Sequence, residues 1–152
     1  MSDTKGIELP DGRIALSEEE IAKLKIKIGK KHRTEKDWAF IKELLEERAV
    51  FTANPMDEKI QKKYCVEGLL KDNGILVVFT SLKACKDYLD EVGTVRYGRY
   101  MTIGNIPFRS VLEIAVDYGE KVYIDPNDPT DMKILAIDGK SQTLHVYRLV
   151  KV

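Results

Sequence analysis

Residues 69–81 read Leu-Leu-Lys-Asp-Asn-Gly-Ile-Leu-Val-Val-Phe-Thr-Ser, and the class of the whole chain follows from this run. Ile75 to Thr80 is apolar almost throughout, the texture of a strand buried on both faces at the centre of a sheet. Lys71-Asp72-Asn73-Gly74 is short enough to turn a preceding strand, Tyr64 to Leu70, directly into it, which makes an antiparallel hairpin. Ser81 then caps a helix that carries Leu82, Cys85, Leu89 and Val92 and stops at Gly93. The hairpin excludes an all-parallel sheet.

The flanking sequence adds elements of both kinds. Val50 to Ala53 and Lys121 to Ile124 read as short strands, and Asp138-Gly139, between Ile134–Ile137 and Thr143–Val150, reads as a closing hairpin. Phe108, Val111, Leu112 and Ala115 recur at helical spacing from Pro107, which suits a first helical turn, to a stop at Gly119. Thr34 and Asp37 form a capping box ahead of Trp38, Ile41, Leu44 and Leu45. Ser17 and Glu20 form another ahead of Ile21, Leu24 and Ile28, with Gly29 as the stop. Here the caps favour a helix, while the alternation of Leu24, Ile26 and Ile28 with lysines also fits a strand. Thr94 to Ile103 reads as a poor strand or a long ordered loop. The expectation is an α+β fold: a mixed, largely antiparallel sheet with about four helices packed on it.

A chain of 152 residues is one domain's worth, long enough to bury about two-thirds of its unfolded surface. Residues 1–16 are expected as a flexible tail and 17–152 as the single domain. Hydrophobic residues at 43% and charged ones at 33%, with no long uninterrupted apolar run, exclude disorder as the main state and a membrane span. The first residues have neither a basic start nor an apolar run, so a reducing cytoplasm is the expected location and Cys65 and Cys85 are expected as free thiols.

Zero net charge conceals an asymmetry. Residues 1–20 carry two positive and six negative side chains, and residues 21–36 carry seven positive and one negative. Lys23, Lys25, Lys27, Lys30, Lys31, Arg33 and Lys36, with His32 among them, could meet phosphates or an acidic protein surface. Glu18 to Glu20 at one end of a helix and lysines at the other also suit its dipole, and no aromatic precedes Trp38, so protein docking ranks above nucleic acid.

Three stretches in order resemble the SseB-type N-terminal domain, the family named for enhanced serine sensitivity. They are Leu76 to Ser81 with its Phe79-Thr80-Ser81 end, Pro107-Phe108 with the helix to Gly119, and the apolar strand ending in Asp125-Pro126. The likeness spans about residues 34–137. Family members commonly have Asn where this chain has Asp125, and longer relatives carry a further C-terminal domain. The resemblance implies a bacterial cytoplasmic α+β module with no catalytic residues to assign. On physical grounds Ser81 serves as a cap, and Asp125 can bond the turn after its strand while Pro126 sets its direction. A shallow binding lip formed by the Ser81 helix start and the Asp125 turn is the functional alternative.

Other constellations rank lower. The run Asp125 to Asp131 lacks the glycine and the distal glutamate of an EF-hand loop, with Thr130 and Ala136 in their places. Cys65 or Cys85 with His32 or His145 gives a hydrolase or thiol enzyme only as a third reading, and no zinc pattern exists. The expectation is therefore a non-enzymatic adaptor that binds another protein, with no cofactor, metal or membrane partner. Its contact residues are Lys23, Lys27, Lys30, Lys31, Arg33 and Lys36, together with Arg96, Arg99 and Tyr100 in the poorly patterned stretch.

Overall fold

A computed structural model describes residues 6–28, 30, 32–72, 75–93, 97–98, 101–118, 121–126, 135–138 and 149–151. In chain order these form β1 (Ile7–Glu8), β2 (Ile14–Ala15), α1 (Glu18–Ile28), α2 (Glu35–Glu46), β3 (Ala49–Pro55), α3 (Glu58–Tyr64), β4 (Cys65–Val66), β5 (Leu69–Asp72), β6 (Ile75–Val78) and α4 (Leu82–Tyr88). A π-helical turn (Leu89–Gly93) extends α4. There follow β7 (Met101–Pro107), α5 (Phe108–Tyr118), β8 (Lys121–Ile124), β9 (Leu135–Asp138) and β10 (Leu149–Lys151). The fold is α+β, as the sequence implies.

The strands make two mixed sheets rather than one, in the orders β1-β2-β3-β7 and β10-β9-β8-β6-β5-β4. Among the described residues only β2–β3 and β6–β8 pair in parallel. A bridge between Phe51 and Phe79 joins the sheets, each backbone N–H donating to the other carbonyl at 2.8 and 2.9 Å. β6 lies inside its sheet as its apolar run requires, with Leu76, Val77 and Val78 buried.

Side chains alternate across these strands into two cores, which gives three layers. On one face Val50, Leu69, Leu76, Val78, Val122 and Ile124 meet Leu24 and Ile28 of α1, Ile41 and Leu45 of α2, and Phe108, Val111, Leu112 and Ala115 of α5. On the other, Phe51, Ala53, Leu70, Val77 and Phe79 meet Cys85 and Tyr88 of α4 and the buried Tyr97, with Ile60 and Tyr64 of α3 packed alongside. The four α5 residues picked out by spacing are the ones it buries. Both capping boxes are present, and α1 is a helix.

Several expectations are corrected. Residues 6–16 are not a loose tail: Ile7↔Ala15 and Glu8↔Ile14 form a hairpin, Ala15 pairs with Ala49, and Ala15 and Leu16 are buried. A domain boundary after residue 16 therefore cuts through the core. Tyr64 to Leu70 is not one strand but the end of α3 followed by β4 and β5, turned by Glu67 and Gly68 at φ 52° and 81°. Positive φ at both central residues is the turn that matches strand twist. Pro107 ends β7 instead of opening a helix, and the first amide of α5, Phe108 N–H, donates to the Arg48 carbonyl at 2.9 Å. Leu82, read as part of an apolar stripe, is exposed. The predicted stops Gly29 and Gly119, the turn residues Asn73-Gly74 and Gly139, Lys31, Arg96, Arg99, Tyr100, Asn127 to Asp131 and His145 lie outside the described residues.

Candidate functional site

The basic segment spans the end of α1 and the start of α2, and the structure divides its cations into two groups. Asp37, buried at the N-terminus of α2, accepts from the Thr34 amide at 2.9 Å, from Lys30 Nζ at 3.0 Å on each oxygen and from Lys27 Nζ at 3.1 Å. The Thr34 amide above all, then the Lys30 and Lys27 ammonium groups, hold its carboxyl well below the usual aspartate range. Arg33 Nη1 donates to the carbonyls of Ile28 and Lys30, closing the end of α1, and its guanidinium lies 5.0 Å from the Trp38 ring centre. Lys27 also sits 5.8 Å over Phe40. Lys27, Lys30 and Arg33, read from sequence as docking cations, are thus bound within the chain, clasping α1 to α2.

Other residues of the segment are on the outside. Lys36 and His32 are exposed, and Lys23 pairs with Glu19 at 3.2 Å with both side chains more than half exposed. Ile26, at 66% exposure the most exposed large hydrophobic residue described, shares the outward face of α1 with Glu19 and Lys23 at i, i+4 and i+7.

The Leu76–Ser81 stretch and the strand ending in Asp125-Pro126 meet at the carboxyl ends of the parallel strands β6 and β8. Asp125 N–H donates to the Val78 carbonyl at 2.9 Å, continuing the ladder one residue beyond β8. Its carboxylate reaches back to Thr80, accepting from the amide at 2.8 Å and the hydroxyl at 2.6 Å, while the turn beyond Pro126 lies outside the described residues. Asp125 is buried and held at φ 51°, a left-handed conformation that short polar side chains tolerate better than others. Ser81 accepts from Ala84 N–H at 3.0 Å, so the cap is real. Both carboxylate oxygens of the supposed lip are engaged in holding β6 to β8.

The thiols lie in the second core. Burial, and secondarily the Asp125 charge, pushes Cys85 up to about 12, and burial raises half-buried Cys65. Neither is a thiolate near neutral pH. Among the described residues no group of three or more His, Cys, Asp or Glu is placed to hold a metal ion, and no helix is long and apolar enough to cross a membrane.

One pair escaped the sequence reading altogether. Arg48 donates to both oxygens of Glu20, at 3.0 Å from Nε and 2.6 Å from Nη2, with both side chains about nine-tenths buried. Glu20 was visible only as a cap residue, and nothing in Glu46-Glu47-Arg48 signals a buried arginine. Comparison with protein-family models, curated proteins and solved structures finds no match for this chain.

Proposed function

We propose that the chain is a non-enzymatic, SseB-like protein-binding module of the bacterial cytoplasm, docking through the outer face of α1 and its connection to α2. The observation that carries this reading is Ile26, a large apolar side chain standing in water beside Lys23. An apolar anchor with a cationic rim suits a protein surface that offers an apolar contact framed by carboxylates. The family resemblance supports the same class. Nucleic acid is less well served, because Lys27 and Lys30 are already paired with Asp37, and phosphate binding scales with the cations left free. An enzyme using Cys65 or Cys85 would need to ionise a thiol that burial keeps neutral.

The test replaces Ile26 and Lys36 with glutamate and compares capture of native partners with the unmodified chain, beside a labelled single-stranded oligonucleotide. Loss of the apolar anchor and reversal of the rim should weaken partner capture by about tenfold or more, with unchanged thermal unfolding. Equal capture by both chains removes this face from the interface. Tight oligonucleotide binding that falls log-linearly with salt replaces the reading with the nucleic-acid one.

A further inference from the structure

β7 presents an open sheet edge. It pairs with β3 without a bulge, from Ala49↔Pro107 to Pro55↔Met101, and has no neighbouring strand on its other side among the described residues. Which of its groups face outward follows from Phe51. Both backbone groups of Phe51 are turned to Phe79, so Asn105, its opposite on β7, turns its own N–H and C=O away from β3. Alternation along the strand gives Ile103 and Met101 the same outward direction. The Asn105 carbonyl accepts from Arg13 Nη1 at 2.9 Å, whereas Met101 and Ile103 find no backbone partner on this side among the described residues.

Exposed edges in natural sheets are blunted by lysines, internal prolines or bulges. Met-Thr-Ile-Gly-Asn-Ile-Pro has none of these before its last residue and carries no charge, in a chain that is 33% charged. We propose that this edge is covered by a second copy of the chain, β7 against β7, antiparallel about a two-fold axis through Thr102. That register uses the outward groups of Met101 and Ile103: Met101 exchanges both backbone bonds with Ile103 of the second copy, and Ile103 with its Met101. Exposed Thr102, whose hydroxyl donates to the Asn54 carbonyl at 3.4 Å, faces its own counterpart as a β-branched cross-strand pair. Half-buried Met101 and Ile103, which pack on the second core, extend that apolar layer across the axis. Any charge on the strand would meet its like near the axis, so the absence of charge favours a copy of this chain over a foreign segment. The surface differs from the α1 face proposed for docking and stands independently of it.

The interface is small, so the dimer should form between about 10 µM and about 1 mM, read by sedimentation velocity. Thr102→Lys, at an exposed position, should raise the dissociation constant about tenfold or more by setting two ammonium groups face to face. Thr102→Cys should give a disulfide-linked dimer under mild oxidation faster than the unmodified chain with Cys65 and Cys85. Gly104→Cys, about 13 Å from its counterpart in this register, should not, since disulfides need Cα atoms within about 7 Å. A Cβ at position 104 meets nothing within 4 Å, so that variant keeps the fold. A chain that stays monomeric near 1 mM overturns the proposal and assigns the edge to another occupant. A dimer indifferent to Thr102→Lys, or linked equally well through position 104, overturns it too.

Discussion

Glu20→Ala is expected to lower the unfolding free energy by about 3–5 kcal/mol, measured by urea denaturation at neutral pH. The side chain returns the Ser17 cap at 3.1 Å and receives two charge-assisted bonds from Arg48, so its removal leaves a guanidinium nine-tenths buried without its carboxylate. The pair ties the first turn of α1 to the residue before β3, which is also where the Arg48 carbonyl receives the first amide of α5. A double replacement, Glu20→Leu with Arg48→Met, should cost much less than the single one, because an apolar pair needs no compensation for lost solvation. A single variant within about 1 kcal/mol of the parent would mean that water reaches the pair and screens it.

The second large effect concerns the β6–β8 junction. Asp125→Ala removes the acceptor of both the Thr80 amide and hydroxyl and leaves an alanine at φ 51°. A buried donor without a partner costs about 1–3 kcal/mol, and a left-handed conformation about 1–2 kcal/mol at a non-glycine residue, so a loss of about 3 kcal/mol or more is expected. Asp125→Gly relieves the backbone but not the donors and should fall between. Asp125→Asn should cost least, since asparagine tolerates this conformation, keeps one oxygen for the amide and offers an N–H to the threonine hydroxyl. Denaturation midpoints in the order parent, Asn, Gly, Ala check the argument; alanine equal to asparagine would show that the carboxylate does not hold the junction.

How far the sequence disclosed this architecture depends on whether the signal was local. α5 was legible because Phe108, Val111, Leu112 and Ala115 repeat at the helical period and all four are buried. α1 and α2 were legible through their caps, and β6 through an apolar run that only a two-sided interior accommodates. α3 was not, because it buries no residue and so leaves no stripe; the Asp57 cap was its one local mark. The Glu67-Gly68 turn was hidden inside an apolar run, and β7 by Gly104 and Asn105, residues poor in strand propensity that long pairing with β3 holds extended. At the candidate site the cation-rich segment was legible, whereas the partner of Lys27 and Lys30 was not. Asp37 read as a cap and is also the anchor of Lys27 and Lys30, and the Glu20–Arg48 and Thr80–Asp125 pairs span 28 and 45 residues, distances at which only the assembled topology decides who meets whom.

The same dependence on topology makes Asp37 the residue on which the division between structural and available cations rests. Carboxyl-carbon NMR titration of Asp37 in the parent chain and in a Lys27→Gln, Lys30→Gln variant measures that division directly. If the two lysines belong to the fold, the Asp37 carboxylate stays ionised well below the ordinary aspartate range in the parent and protonates at higher pH in the variant. An ordinary aspartate titration, the same in both chains, would show these lysines free in solution and return them to the docking surface.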